Sequence, residues 1–198
     1  MYHTEWGSIP KGHYPIIYAD PPWLYNDKMK GHSFSLDHEY ETQPKTWIQE
    51  LPVRDIAAKD AVLFMWVTNP QLPVGLETMS RWGFRYKTVA FCWRKLTSRG
   101  REAVNLGRWT MGGMELCLLG VRGHPTRIAR NVRQLVTAAR REHSRKPDEV
   151  RERIVTLMGD VPRIELFARG ESEGWDQWGN QVANIGTQET PTRGGGFA

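Results

Sequence analysis

The sequence predicts an open α/β sheet, mostly parallel, with helices covering both faces. Two observations carry this. Residues 15–19 (PIIYA) and 61–67 (AVLFMWV) are continuous apolar runs, the pattern of strands buried on both sides. Strand-like runs also alternate with helical segments along the chain, which is how a sheet becomes covered on two faces. In chain order, the first strand stops at Asp20-Pro21-Pro22, because proline has no amide hydrogen and restricts the residue before it. Asn69-Pro70 ends the second strand and opens a helix reaching Trp82, with Gly83 as its stop. Residues 87–93, 115–121 and 132–138 read as three further strands. Residues 147–158 form the clearest helix, with proline at its start, Asp148 and Glu149 complementing the dipole, and Gly159 at its end. Val150, Ile154, Leu157 and Met158 share one face of it. Residues 163–167 (RIELF) are a last strand with an acid inside it.

A chain of 198 residues, 39% hydrophobic and 25% charged, suits a single domain with a sizeable core. We read it as one domain over residues 1–185, followed by a tail, 186–198, expected to be disordered because it has almost nothing to bury. No apolar run approaches a membrane span, and residues 1–10 lack a secretion pattern, so no membrane association and a cytoplasmic location are expected. Cys92 and Cys117 sit inside apolar runs with no ligand-spaced partner; they are expected to be buried thiols, and no metal site is expected. Trp47, Trp66, Trp82 and Trp93 are expected in the core. The net charge of +5 and a pI near 9.4 favour contact with a polyanion. Its basic residues gather in two stretches, Arg94 to Arg108 and Arg122 to Lys146. Either stretch could instead be an ordinary solvated face.

The chemistry centres on Asp20-Pro21-Pro22-Trp23. By itself, Asp-Pro-Pro is a common turn. Here a buried strand delivers it and an aromatic follows it. A conjugated amine, such as that of a nucleobase, is a poor nucleophile because its lone pair is delocalised into the ring. A site helps by accepting hydrogen bonds from both amine hydrogens. The Asp20 carboxylate and the Pro21 carbonyl are two such acceptors, held in a fixed turn by the prolines. Trp23 offers a face for stacking a base, worth about 1–3 kcal/mol.

Six segments in order, YPIIYADPPW (14–23), AVLFMWVTNPQL (61–72), GGMELCLLGVRG (112–123), REHSRKPDEV (141–150), RIELFARG (163–170) and WDQWGNQV (175–182), resemble the MT-A family of adenine-N6 methyltransferases. That family is typified by the catalytic subunit of the eukaryotic messenger-RNA methyltransferase and has bacterial and phage members. The resemblance runs from about 15 to 185. It implies a Rossmann-like fold in the permuted order, with the catalytic motif ahead of the cofactor-binding segments, and S-adenosylmethionine as methyl donor. It implies Asp20, Pro21, Pro22 and Trp23 as the catalytic motif, and Tyr40 in the substrate pocket unless that ring is simply packing. For the cofactor it implies Lys146, Glu165, Arg169, Asn180 and Gln181, with the alternative that Glu165 only balances a neighbouring arginine. A lysine just before a helix N-terminus suits a carboxylate, and side-chain amides suit ribose or a base edge. Where relatives carry Pro-His-Asn after the arginine, this chain has Gly170-Glu171-Ser172, so no contacts are expected to carry over there; His143 is expected at the surface. The expected substrate is DNA, the alternatives being RNA or a catalytically silent nucleic-acid-binding subunit. A homodimer or partner subunit would help target recognition, and residues 24–43, 95–112 and 139–146 are expected to surround the base.

Overall fold

A computed structural model describes residues 8–23, 43–107, 109–141 and 145–179. Tyr40, Arg108, His143, Asn180, Gln181 and the tail 186–198 lie outside the described residues. One seven-stranded sheet organises the rest, in the order β5-β3-β4-β2-β1-β6-β7. The strands are β1 (Tyr14–Ala19), β2 (Ala57–Val67), β3 (Arg85–Leu96), β4 (Met114–Arg122), β5 (Leu135–Ala139), β6 (Arg163–Leu166) and β7 (Asp176–Trp178). Six strands run in one direction and only β4 is reversed, pairing antiparallel with both β2 and β3. The mostly parallel sheet expected from the apolar runs is therefore present. The reversal of β4 follows from its connection: a hairpin-like link from β3 needs no crossover.

Period-two alternation sends successive β1 residues to opposite faces. Ile17 and Ala19 join one buried cluster with Leu63, Met65 and Val67, while Ile16 and Tyr18 join another with Val62, Phe64 and Trp66. The first cluster is covered by α1 (Lys45–Glu50), α2 (Val53–Ile56) and α3 (Leu72–Arg81), through Ile48, Val53, Met79 and Trp82. The second is covered by α4 (Glu149–Met158), through Val150 and Ile154. Helices thus lie on both faces. Among these helices and strands none forms a helix long and apolar enough to cross a membrane.

Several boundaries differ from expectation. β2 and β3 are longer than their apolar cores, and β5 begins at Leu135 rather than 132. A single 3-10 turn, Asn69–Gln71, precedes α3. α4 begins at Glu149, with Pro147 just outside it, and the side chain of Asp148 turns to arginines instead of capping the helix. α1, α2 and β7 were too short to register as periodic runs. Gly83 and Gly159, both at positive φ, follow the two longer helices as expected. Trp66, Trp82 and Trp93 are fully buried, and Trp47 is partly buried with its ring stacked on Trp178. Cys117 is buried, but Cys92 is only half-buried: alternation turns it away from the cluster that takes Phe91 and Trp93. At Gly120 the sheet comes so close to α3 that an added Cβ would stand 2.5 Å from Met79 Sδ.

Candidate active site

The carboxyl ends of the six co-directional strands share one edge of the sheet with the start of β4. In open α/β sheets this edge is where ligands sit. Asp20 leaves β1 there, its amide bonded to the Leu166 carbonyl at the end of β6 (3.3 Å). The following turn is tight. The Trp23 amide donates to the Pro21 carbonyl (2.9 Å), the Gln43 amide donates to the Pro22 carbonyl (3.0 Å), and the Trp23 indole N–H donates to the Trp66 carbonyl (3.1 Å). Trp23 is 5% exposed and belongs to the core. Its ring therefore fastens the turn to the end of β2, and only a small part of it lines the cleft. The Pro21 carbonyl, holding one hydrogen bond, keeps a second lone pair.

Lys146 comes to this point from the chain leading into α4. Its Nζ lies 2.7 Å and 2.8 Å from the two Asp20 oxygens and 3.3 Å from Glu115 Oε2, with the Trp66 ring 5.6 Å away. It is 7% exposed. Burial works against its charge, yet Asp20 and Glu115 outweigh that and hold the ammonium above its ordinary range. Burial likewise opposes ionisation of Glu115, but Lys146 and Lys95 together hold its carboxyl below the usual range. Lys95 bonds the other Glu115 oxygen from the end of β3. Arg169, just past β6, approaches Asp20 at 3.8 Å. A chain of alternating charges thus runs Lys95, Glu115, Lys146, Asp20, Arg169 across the ends of β3, β4, β1 and β6.

A second network fixes Lys146 in place. Asp148 meets Arg141 (2.6 Å), Arg145 (3.3 Å) and Arg151 (2.8 Å), and Arg141 also donates to the Lys146 carbonyl (2.5 Å). The Arg141 hydrogen bond leads in lowering the Asp148 pKa to about 2. Arg151 then takes both oxygens of Glu165 at 2.7 Å. The arginine-balancing alternative for Glu165 is thus present in the structure, although Glu165 still lines a cleft.

Two clefts flank this centre. One, narrow and open to solvent, is bordered by Glu165, Phe167, Gly170, Ser172, Arg145 and Arg151. The other, also narrow and open, is bordered by Pro21, Pro22, Trp23, Trp66, Thr68 and Glu115. Asp20, Lys146 and Arg169 line both, so they form the wall between them. Phe167 sits at φ 64°, where a bulky side chain is strained by about 1–3 kcal/mol. Packing with Trp178 (5.4 Å) and Trp82 (6.5 Å) holds it there.

Of the residues expected from sequence, Asp20, Pro21, Pro22, Trp23, Lys146, Glu165 and Arg169 converge here. Gly179, immediately before Asn180 and Gln181, packs on the Ala168 backbone beside the first cleft. Glu115 and Arg151 were missed, and Lys95 was expected only as one basic residue of the segment 95–112. One signal was readable: an acid opening the buried run at 115–121 needs a cationic partner. The two basic stretches also separate in space. Arg122 lies at the opposite edge, bonded to the Arg54 carbonyl (2.6 Å), and Arg127, Arg130 and Arg133 lie in the connection leaving that edge. Arg94, Lys95, Arg140, Arg141, Arg145 and Lys146 belong to the cleft end.

The MT-A70 family model matches residues 14–181. The chain is similar to a Type II methyltransferase, M.MunI, from Mycoplasma sp., at 38% identity over 94% of this chain and 85% of that protein. It is also similar to the human N(6)-adenosine-methyltransferase catalytic subunit METTL3, at 29% identity over 88% of this chain but 29% of that protein. An N(6)-adenosine-methyltransferase MT-A70-like protein of Arabidopsis thaliana matches at 29% identity, with 24% of its length covered.

Proposed function

The chain belongs to the MT-A70 family, and on that premise we propose that it transfers the methyl group of S-adenosylmethionine to the exocyclic N6 amine of adenine in DNA. The observation that carries this reading is the pair of clefts divided by Asp20, Lys146 and Arg169. A two-substrate transfer needs two adjoining sites whose ligands meet at one wall. The residues of the first cleft fit the methyl donor. Lys146 and Arg169 would face its carboxylate, and Glu165 offers an acceptor to hydroxyls or the amino group. At Gly170 an added Cβ would meet nothing within 4 Å, leaving open space for a ligand. Asn180 and Gln181 complete this set in our reading. When bound, S-adenosylmethionine supplies a methyl group made electrophilic by its sulfonium.

The second cleft takes the adenine. Asp20 and the Pro21 carbonyl accept the two amine hydrogens, which localises the nitrogen lone pair. Lys146 keeps Asp20 oriented with its two oxygens held in a fixed plane, and Trp23 closes the wall beside the base. Tyr40 is assigned to the same pocket. DNA is favoured because the match spans most of a Type II methyltransferase. RNA is the second reading, favoured by relatives named as adenosine methyltransferases. The protein would work in the cytoplasm of a bacterial or phage-infected cell, alone, as a homodimer or with a partner subunit.

The test is incubation with labelled S-adenosylmethionine and either DNA or RNA, followed by digestion to nucleosides. N6-methyldeoxyadenosine is the expected product. Label on cytosine, or cofactor binding without transfer to any adenine, contradicts the proposal. Asp20→Asn, which keeps one oxygen toward Lys146, should abolish transfer while largely sparing cofactor affinity. Equal loss of both would remove Asp20 from the amine.

A further inference from the structure

The link between β3 and β4 carries a cluster of apolar side chains that the methyl-transfer chemistry does not use. Trp109 is 97% exposed, Leu106 89% and Met111 65%. Three large apolar groups on so short a tip make the kind of exposed patch that marks a contact surface. The tip is also held out stiffly. Asn105 and Gly112 exchange both backbone hydrogen bonds (2.7 and 2.9 Å), and below them the Lys95 backbone donates to Gly113 and accepts from Ala103 (2.9 Å each). Arg140 bonds the Asn105 side chain (3.1 Å), tying the hairpin to the end of β5.

The root of this hairpin is the Lys95–Glu115 pair, the first link of the charge chain ending at Asp20. The chain between Trp109 and Glu115 can span at most ~20 Å when extended. The apolar tip is therefore anchored to the base cleft. Exposed cations stand next to this hairpin in the chain, Arg99 and Arg101 in the Thr97–Arg101 turn before it and Arg140 on Asn105 at its base, while the exposed acid between them, Glu102, faces Arg94 (3.9 Å). A protein partner would be expected to meet an apolar patch with apolar surface; this combination instead suits a polyanion with an apolar interior, which is a stacked nucleic-acid duplex.

A paired adenine presents its amine inside the stack, out of reach of Asp20, so it must be extruded before transfer. Extrusion leaves a gap, and apolar side chains inserted at such gaps hold the duplex open. Resting on the adenine reading above, we propose that Trp109, flanked by Leu106 and Met111, enters double-stranded DNA at the target and fills the space left by the extruded adenine.

The experiment compares native DNA with the same DNA heat-denatured into single strands. For Trp109→Ala, methyl incorporation should fall on the order of tenfold or more on native duplex, the scale of one lost base–aromatic stack. On single strands, where no gap needs filling, it should fall by less than about threefold, with cofactor binding unchanged. Equal loss on both substrates overturns the wedge. So does a smaller particle mass for the variant without DNA, which would make the tip an interface between copies of this chain. If the wild-type protein methylates neither DNA, the adenine reading fails, and a binding experiment still decides the wedge. Duplex should quench tryptophan emission more in the wild type than in Trp109→Phe, and identical quenching overturns the proposal.

Discussion

Glu115 shows how much of this site depends on one side chain outside the Asp20–Trp23 turn. It bridges Lys95 and Lys146, and through Lys146 it reaches Asp20. Removing one member of a buried ion network leaves the others uncompensated, at a cost of about 3–5 kcal/mol. Glu115→Gln should therefore lower stability by that order, read as a shift of the urea midpoint. Its pH dependence has a definite sign. The folded carboxyl titrates below its unfolded value of about 4.3. Its contribution is thus complete above that value and is lost as pH falls through the depressed one. The stability gap between wild type and Glu115→Gln should stay level from pH 7 to about 5 and narrow below about 4. A gap that widens on acidification would mean the glutamate is not stabilised as an anion.

The elements place these side chains by packing. α3 sits close to β4 because Gly120 has no side chain and Met79 fills the space. Gly120→Ala should cost about 1–3 kcal/mol as an overpacking change. In a Met79→Ala background the cost should shrink, since the two sites share one space. Thermal melts of the four proteins measure this, and strict additivity would show that the contact is unimportant. On the other face, Ile154 of α4 is fully buried against the sheet. Ile154→Ala should cost about 2–5 kcal/mol. Because the same helix follows Lys146 and carries Arg151, that variant should weaken cofactor binding as well as stability.

For the whole molecule, a ligand that binds only the folded state stabilises it by mass action. S-adenosylmethionine at a hundred times its Kd contributes about 2.7 kcal/mol. For a chain of this size that is a rise of roughly 5–11 °C in melting temperature. Asp20→Asn should retain most of the rise, and Arg169→Ala should lose much of it. A variant pattern reversed from this would exchange the roles of the two clefts.

How much was legible from the chain depends on the range of the interaction concerned. The continuous apolar runs at 15–19 and 61–67 announced doubly covered strands, because burial on two faces demands apolar residues at every position. Asp20-Pro21-Pro22-Trp23 was readable because prolines end a strand locally, whatever lies around them. Lys146 and Glu165 were assigned through the family resemblance, and the structure adds their partners. The direction of β4, the Lys95–Glu115–Lys146 relay and the separation of Arg122 from the cleft were not legible. Each depends on which strands lie side by side, and neighbours in this sheet are often distant in sequence. The local chain thus determined the strands, the turn and the residue types that chemistry needs. Only tertiary structure decided that Asp20 would meet Lys146 (2.7 Å) across a wall shared by two clefts, because charges pair where packing brings them out of water together.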